Sequence, residues 1–375
     1  MNPQIRSLFP ATEKLAYLNS AAVSPLPTTA VDAVRSQLED VAHHGAANYL
    51  EWVATKGRAR ALIAGMLKVA PENVAFMRNT SDGFAAVASG IEWQQGDNIV
   101  SFAGEFPANF YAWRRVRDRF GVELRLVAES NGRVDLDELV SLIDTNTKIV
   151  AISAVQYASG FNADLERLAR AAHAVDALFA VDIIQALGAR GFDLPALGVD
   201  VASGSSHKWL CAPEGCGILY VSDEARNRVD PTFVGWISVE TPWNFDDREQ
   251  PFKPNALAWE SGTGCSSLFY GLEQSARLLT ETGLDRIDTY LIELTDYLCE
   301  LLAGKNYDVV SSRTPGERSS IVAIRHRDNG IPADEIAKRL EEEGIVVSAR
   351  LDRVRISPHF YNNREDIERF VAALP

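Results

Sequence analysis

The sequence predicts an α/β protein that consists of a large domain with a mostly parallel sheet and a smaller α+β domain at the C-terminal end. Short apolar runs rich in β-branched residues alternate with amphipathic stretches through most of the chain, as in strands joined by crossover helices. After about residue 262, this alternation gives way to long helical patterns and a few short strands. A chain of 375 residues also exceeds the size at which one core usually stops growing. We therefore expect two domains, 18–262 and 263–375, with residues 1–17 belonging to the second.

The elements of the large domain follow from these apolar runs. The strands are predicted at 73–77, 98–102, 123–127, 149–155, 179–181, 201–203 and 217–221. The helices between them are predicted at 81–91, 107–119, 135–143 and 163–177. In the smaller domain we expect helices at 267–282, 284–303 and 364–373, with strands at 320–325, 345–348 and 354–357. The stretch 235–254, rich in Trp, Pro and Asp, is longer than a simple connection and suggests a loop near a site or an interface.

The composition excludes several classes of protein. The net charge of −14, from 51 acidic and 37 basic residues, argues against a nucleic-acid partner, since phosphate binding needs clustered Lys and Arg. The four cysteines, at 211, 216, 265 and 299, do not form the two pairs of a zinc site, so we expect reduced thiols and no metal. Residues 1–10 lack a basic region followed by an apolar run, and no later stretch has membrane-spanning length. We expect a cytoplasmic protein.

An aspartate and a lysine follow predicted strands, where ligands bind in an open parallel sheet. Asp182 ends one apolar run, and Lys208 follows the next strand among small and apolar neighbours. Burial lowers the pKa of an amine and makes it a nucleophile toward a carbonyl, while an acid beside a pyridine nitrogen keeps the ring protonated. The pair is the minimum apparatus of pyridoxal 5'-phosphate chemistry. The alternatives are a helix N-cap for Asp182 and a solvated surface lysine for Lys208.

A phosphate group needs hydrogen-bond donors, and the segment Arg78-Asn79-Thr80-Ser81-Asp82-Gly83 supplies them. A strand ends at about Met77 and a helix begins near Thr80, so free backbone N–H groups and hydroxyls meet there. Ordinary capping of the helix by Thr80 or Ser81 is the alternative. Ser205 and His207 could add further donors.

These residues carry a family resemblance. Phe179-Ala180-Val181-Asp182 with Gln185, then Ser205-Ser206-His207-Lys208, then Pro213-Glu214-Gly215-Cys216-Gly217 resemble class V aminotransferase-fold enzymes. That group includes cysteine desulfurases, selenocysteine lyases, kynureninases and isopenicillin N epimerase-like proteins. The segments 17–22 and 355–362 resemble its first and last segments, so the resemblance covers nearly the whole chain. It implies fold type I of the pyridoxal-phosphate-dependent transferases.

The resemblance also implies roles at the cofactor. Lys208 corresponds to the lysine that carries pyridoxal phosphate as a Schiff base, Asp182 to the partner of the ring nitrogen, and Gln185 to the group that binds the ring hydroxyl. Phe106 stands where many members have a histidine stacked on the ring, so stacking is kept and a proton-shuttling group is lost; a core phenylalanine is the alternative. The expected phosphate ligands are Thr80, Ser81, Ser205 and His207.

Further implied roles concern the substrate and a second subunit. Arg355 corresponds to the arginine that binds the substrate α-carboxylate, and a planar guanidinium suits that task; a solvated arginine is the alternative. Gln156 and Asn19 are expected near the substrate. Thr263 corresponds to a hydroxyl that reaches the phosphate of a partner subunit, which implies a homodimer with composite sites.

The resemblance implies an amino acid as substrate but leaves the reaction open, because a fold does not choose the chemistry. Persulfide-forming desulfurases carry a cysteine on the loop before the carboxylate-binding arginine, and the matching stretch 345–352 has none. We therefore expect a lyase or an aminotransferase. Amino-acid epimerisation and elimination without an enzyme thiol stay open. A non-catalytic protein is disfavoured because Lys208, Asp182 and the phosphate segment are all intact.

Overall fold

A computed structural model of the chain describes residues 3–328 and 330–375. The strands are β1 (Ala16–Tyr17), β2 (Val74–Met77), β3 (Asn98–Phe102), β4 (Glu123–Val127), β5 (Glu129–Ser130), β6 (Arg133–Val134), β7 (Thr147–Ser153), β8 (Leu178–Asp182), β9 (Val201–Ser205), β10 (Gly217–Val221), β11 (Tyr307–Val309), β12 (Val322–His326), β13 (Ile345–Val346), β14 (Ser348–Arg350) and β15 (Arg353–Ile356). The helices are α1 (Pro3–Arg6), α2 (Thr28–His44), α3 (Tyr49–Leu67), α4 (Thr80–Gly90), α5 (Tyr111–Phe120), α6 (Leu136–Ser141), α7 (Leu165–His173), α8 (Ser266–Thr282), α9 (Leu284–Leu302), α10 (Ala333–Glu342) and α11 (Arg364–Ala373).

The described residues form a seven-stranded central sheet with the order β2-β10-β9-β8-β7-β3-β4. Neighbouring strands pair in parallel, except that β10 is antiparallel to both β2 and β9. One core cluster, with Ile63 and Leu168, covers one face of the sheet, and another, with Phe84 and Trp113, covers the other. Burial on both faces explains why these strands are continuous apolar runs in the sequence. The predicted α/β class with a mostly parallel sheet is confirmed.

The strand register brings polar residues together at the carboxyl edge of the sheet. Ser153 at the end of β7 pairs with Asp182 at the end of β8, and Asp182 pairs with Ser203 in β9. Because these strands are parallel, their carboxyl ends open on the same side. Side chains that follow β7, β8 and β9 therefore meet above one edge.

The antiparallel strand β10 extends this arrangement to β2. Gly217, its first residue, pairs with Ser205 on one side and with Met77 on the other, so the ends of β9 and β2 lie two strand spacings apart. A Cβ atom on Gly217 would lie 2.5 Å from the backbone nitrogen of Asn79. Only glycine permits this close approach of β10 to the start of α4.

The C-terminal part contains an antiparallel sheet of order β11-β12-β15-β14, with a core that includes Leu294, Leu298, Ile324, Ile356 and Phe370. The chain start joins this part, because β1 pairs in parallel with β13. The predicted strand 345–348 is two short strands, since β13 pairs with β1 and β14 with β15. The division at 262/263 stays a prediction.

The N-terminal third contains two helices that were not predicted, α2 and α3, and both pack against α8. The stretch 235–254 forms no helix, and its only strand-like pairing is a single β-bridge between Val239 and Phe252. The side chains of Trp243, Phe245 and Phe252 are exposed. No helix in the described part of the chain is long and apolar enough to cross a membrane.

Candidate active site

A cavity of about 240 Å³ opens above the carboxyl edge of the central sheet. Most of the predicted site residues line it: Thr80, Ser81, Phe106, Asp182, Gln185, Ser205, His207, Lys208 and Arg355. Tyr157 and Arg350, which were not predicted, line it as well. Asn19, Gln156 and Thr263 lie outside this lining.

Lys208 is a buried lysine, and the surface alternative is wrong. The residue is 6% exposed, and within the described residues its ammonium group has neither an ion pair nor a hydrogen bond. Burial lowers its pKa to about 8; Asp182 opposes this shift, and the charges of Arg355 and Arg350 add to it. An amine with this pKa is partly neutral near physiological pH, as a nucleophile requires.

Asp182 has one occupied and one free carboxylate oxygen. Oδ1 accepts a hydrogen bond from the backbone N–H of Ile184 at 2.9 Å, whereas Oδ2 is buried without a partner. No helix begins at Asp182, so the N-cap alternative is wrong. Burial raises the pKa of this carboxyl, and nearby Glu105 raises it further. A cationic N–H group at Oδ2 would restore the charged form.

The hydrogen bonds of Gln185 leave one N–H group free. Oε1 of Gln185 accepts a hydrogen bond from the indole Nε1–H of Trp209 at 3.0 Å. Because this indole group can only donate, the contact identifies the oxygen of the Gln185 amide. The carbonyl of Ala21, which can only accept, receives a hydrogen bond from Nε2 at 3.0 Å. The second N–H of Nε2 remains as a donor at the cavity, which suits an oxygen acceptor such as a ring hydroxylate.

The predicted phosphate end is organised around the start of α4. Asn79 caps this helix by accepting a hydrogen bond from the N–H of Asp82, so the capping alternatives for Thr80 and Ser81 are wrong. Thr80 Oγ1 is buried without a partner in the described residues. A helix N-terminus with an unengaged hydroxyl is well suited to an anion.

Ser205 and His207 complete this end of the cavity. Ser205 Oγ lies 3.2 Å from Nδ1 of His207. Burial lowers the pKa of His207, and the charge of Lys208 adds to the effect. A neutral His207 has one N–H group and Ser205 has one O–H group, so while the two side chains are hydrogen-bonded to each other, one of these two donors remains for a phosphate oxygen.

Phe106 and Tyr157 form an aromatic wall beside Lys208. Phe106 is 38% exposed, so it is not an ordinary core residue, and Lys208 Nζ lies 5.1 Å from the centre of its ring. Tyr157 packs edge-on against Phe106 with a ring separation of 5.2 Å. Such a wall can stack on a flat ring and keep water from the amine.

Arg355 presents a complete binding edge to the cavity. Its side chain is 1% exposed; Nη1 donates to the carbonyl of Tyr157 at 2.9 Å, while Nε and Nη2 are buried without partners. Nε and Nη2 form the edge of a guanidinium that takes a carboxylate in two parallel hydrogen bonds. Burial lowers its pKa to about 9, and Arg350 adds to the shift. An anion at this edge would relieve both effects. Because the side chain is buried, the alternative of a solvated arginine is wrong.

Sequence reasoning missed Glu105, a fully buried acid behind the cavity. Its carboxylate accepts hydrogen bonds from the backbone N–H and the hydroxyl of Ser153 and from the side chains of Gln156 and Asn109. Gln156 is therefore part of this network, although its Oε1 is buried and unpaired. Burial raises the pKa of Glu105, while these four donors favour its charged form. The sequence feature that could have indicated Glu105 is its position next to Phe106, which was a predicted site residue.

Asn19 and Thr263 have other surroundings. Asn19 forms a bridge to Ser357, and its Oδ1 is buried without a partner. Thr263 is exposed and lies with Trp236 and Trp243 at a separate pocket. The roles predicted for both stay predictions.

The residues present fit pyridoxal 5'-phosphate. The free oxygen of Asp182 suits the ring nitrogen, the free N–H of Gln185 suits the ring hydroxyl, and the unpaired hydroxyl of Thr80 suits the phosphate. The partly neutral amine of Lys208 suits the aldehyde. Each of these groups lacks a partner of the kind that the cofactor supplies.

Comparison with known proteins gives the family. The model of the family described as aminotransferase class-V matches residues 16–370, which is nearly the entire chain. The chain belongs to the class V aminotransferase family. It is 28% identical to a probable cysteine desulfurase of Methanothermobacter thermautotrophicus over 97% of this chain and 95% of that protein. It is 24% identical to an uncharacterized aminotransferase of Bacillus subtilis over 98% of this chain and 96% of that one.

Solved structures of similar fold agree with this family. The apo cysteine desulfurase of Thermococcus onnurineus NA1 superposes with a TM-score of 0.88 at 23% identity, over 98% of this chain and 96% of that chain. A cystine C-S lyase in complex with cysteine persulfide superposes with a TM-score of 0.90 at 21% identity, over 97% and 98%. These likenesses confirm the predicted fold type I. As a member of the class V family, the protein is a pyridoxal-phosphate-dependent enzyme.

Proposed function

We propose that the protein is an amino-acid lyase or aminotransferase in which Lys208 carries the cofactor and moves the substrate Cα proton. One observation carries the proposal: a buried, unpaired amine shares a cavity with a carboxylate that has a free oxygen and a guanidinium that has a free edge. These groups are Lys208, Asp182 and Arg355. In an amino acid bound to pyridoxal phosphate, Arg355 suits the α-carboxylate, Asp182 the ring nitrogen and Lys208 the Cα proton.

The roles follow from the free atoms. Arg355 holds the substrate α-carboxylate through Nε and Nη2 and so fixes which bond of Cα faces Lys208. Asp182 keeps a positive charge on the ring nitrogen. When bound, pyridoxal phosphate withdraws electrons from Cα. Once the substrate amine has replaced it on the cofactor, the freed Lys208 Nζ would take the Cα proton, and the aromatic wall of Phe106 and Tyr157 would limit the access of water.

The cysteines argue against a persulfide on the enzyme. Among the described residues that line the cavity there is no cysteine. Cys211 and Cys216 are buried, and burial raises the pKa of each thiol to about 12. Cys265 is exposed, precedes α8 and contacts Ser267. The names of the relatives still make sulfur-containing amino acids natural members of a substrate panel.

Borohydride trapping tests the assignment of Lys208. Reduction of the holoenzyme should attach a pyridoxyl group to Lys208, located by peptide mass mapping, and Lys208→Ala should abolish the label. Lys148→Ala is the matched control, since Lys148 lies in β7 outside the cavity lining. A label on another lysine, or no cofactor absorbance in the pure protein, would contradict the proposal.

Product analysis separates the two reactions. A lyase that eliminates a leaving group from Cβ releases ammonia and a keto acid from a single amino acid. An aminotransferase needs a second keto acid as amino acceptor and releases no ammonia. Inversion of the amino acid with uptake of solvent deuterium, and no keto acid, would instead indicate an epimerase.

The proposal includes a two-fold dimer in which Thr263 reaches the phosphate of the second copy. It rests on the exposure of Thr263 outside the cavity of its own chain and on the exposed aromatic side chains Trp236 and Trp243 beside it. Sedimentation should give twice the chain mass of 41.2 kDa. Mixing Lys208→Ala with Thr263→Trp should restore activity through the one intact site of the mixed dimer. A monomer, or a mixture with no recovery after subunit exchange, would contradict this arrangement.

A further inference from the structure

Two arginines face the cavity, although an amino acid has a single α-carboxylate. In the β14–β15 pair, Ser348 lies opposite Arg355 and Arg350 lies opposite Arg353. Arg350 is therefore the diagonal neighbour of Arg355 on the same face, at a Cβ separation of about 7 Å. Both side chains line the cavity.

Arg350 and Arg355 differ from the neighbouring Arg353 in their ion-pair partners. Arg353 lies opposite Arg350 and binds two carboxylates, Glu129 at 2.9 Å and Asp352 at 3.1 Å. In the described part of the chain, no carboxylate lies within ion-pair distance of Arg350 or Arg355. Arg350 donates only to the carbonyl of the adjacent Ala349, at 2.7 Å. The protein thus neutralises the arginine outside the cavity and leaves the two inside it unpaired.

The other anions expected in the cavity do not account for Arg350. Asp182 is the one acid among the described lining residues, and its free oxygen suits the ring nitrogen. The cofactor phosphate has Thr80, Ser205 and His207, which also line the cavity. The α-carboxylate has the free edge of Arg355. Since like charges repel, Arg350 beside Arg355 and Lys208 is unfavourable until an additional anion arrives.

We propose that Arg350 determines substrate specificity by binding an anionic group on the substrate side chain, so that the preferred substrate is an amino acid with an acidic side chain, a carboxylate or a sulfinate. A guanidinium suits both groups, because it donates parallel hydrogen bonds to two oxygens. The inference rests on the proposed function, because it takes Arg355 as the α-carboxylate site.

Binding of unreactive acids gives the first test. The holoenzyme is titrated with succinate, which has two carboxylates, and with its monoamide, which keeps one carboxylate for Arg355 and has a neutral amide in place of the other, and the absorbance of the cofactor is followed. Succinate should bind about 10- to 100-fold more tightly, the range for one charge-assisted interaction. Arg350→Gln should remove this preference. Arg327→Gln, which breaks an ion pair with Asp308 outside the cavity, should keep it.

Turnover gives the second test. The kcat/KM for aspartate, glutamate and cysteine sulfinate is compared with that for asparagine and glutamine. Arg350→Gln should lower it about 10- to 100-fold for the acids and less than about threefold for the amides. Equal losses for acids and amides, or no preference in the wild type, would overturn the inference.

Two further outcomes separate the inference from the proposed function. Turnover of neutral amino acids alone would overturn the role of Arg350 and leave the proposed function intact, whereas no turnover of any amino acid would overturn both. Loss of cofactor from Arg350→Gln on dialysis would show that Arg350 binds the phosphate instead, which also overturns the inference.

Discussion

Replacing Glu260 by Gln should lower the free energy of unfolding by about 3 kcal/mol. The side chain is buried and accepts hydrogen bonds from Lys56 and Arg60, each at 2.6 Å, and from the backbone N–H of Phe76 at 2.8 Å. Burial alone would raise its pKa, but the two cations outweigh burial and hold the pKa at about 2, against an ordinary value of 4.5. Because each pH unit between these values is worth about 1.4 kcal/mol, the charged form contributes roughly 3 kcal/mol.

The sign of the pH dependence follows from the lowered pKa. The contribution of Glu260 is fully present above pH 4.5 and is lost as the pH falls toward 2. Urea unfolding of the wild type and Glu260→Gln should therefore differ by about 3 kcal/mol at pH 7 and by less at pH 3.5. Glu51→Gln breaks an ion pair whose acid is 58% exposed, and it should change stability by no more than about 1 kcal/mol.

The refuting results are specific. A difference below about 1 kcal/mol at pH 7 would show that desolvation of the three charged groups cancels their attraction. A difference of the same size at pH 7 and pH 3.5 would show that the loss comes from packing rather than from charge.

Three further predictions concern the cavity. Lys208→Ala should lower kcat about 10²- to 10⁴-fold, the usual loss for a general acid–base group, measured with saturating substrate and cofactor; near-normal kcat would contradict its role. Uptake of pyridoxal phosphate by the apoprotein should accelerate as the pH rises through about 8 and then level off, because burial lowers the pKa of Lys208 and only the neutral amine reacts; a flat stopped-flow profile would be inconsistent with this. Asp182→Asn should weaken cofactor binding about 10- to 100-fold in equilibrium dialysis, and an unchanged Kd would exclude the ring-nitrogen contact.

The parts of the site that could be predicted from the sequence lie at strand ends. Asp182 and Lys208 each follow an apolar run, and in a parallel sheet that position alone brings them to one edge. The phosphate segment was found in the same way, from a strand that runs into a helix. Their locations follow from local pattern and from one topological rule.

Other parts depend on contacts between distant segments. The capping role of Asn79 depends on a single hydrogen bond that Thr80 or Ser81 could equally have made. Glu105 acquires its significance from Ser153, 48 residues away, and nothing local indicates that contact. Helices α2 and α3 were missed because their apolar residues do not follow one buried face: Val31, Leu38 and Val41 of α2 and Leu50 and Val53 of α3 are exposed.

Arg350 was within reach of sequence reasoning. Once β14 and β15 are taken as an antiparallel pair, residues two apart share a face, so Arg350, Arg353 and Arg355 fall on one side. The sequence could not show which of the three is neutralised, because Glu129 approaches Arg353 from a different sheet.

The antiparallel strand β10 ties the order of assembly to the ability to bind cofactor. Thr80 follows β2 and Ser205 is the last residue of β9, and these two strands do not pair with each other. Strand β10 is synthesised after both and lies between them. Until Gly217 lies against Asn79, the two halves of the anion site are not held together. We therefore expect pyridoxal phosphate to bind chains in which β10 is in place. Because it binds the completed sheet and not the incomplete one, free cofactor should stabilise the completed sheet by mass action.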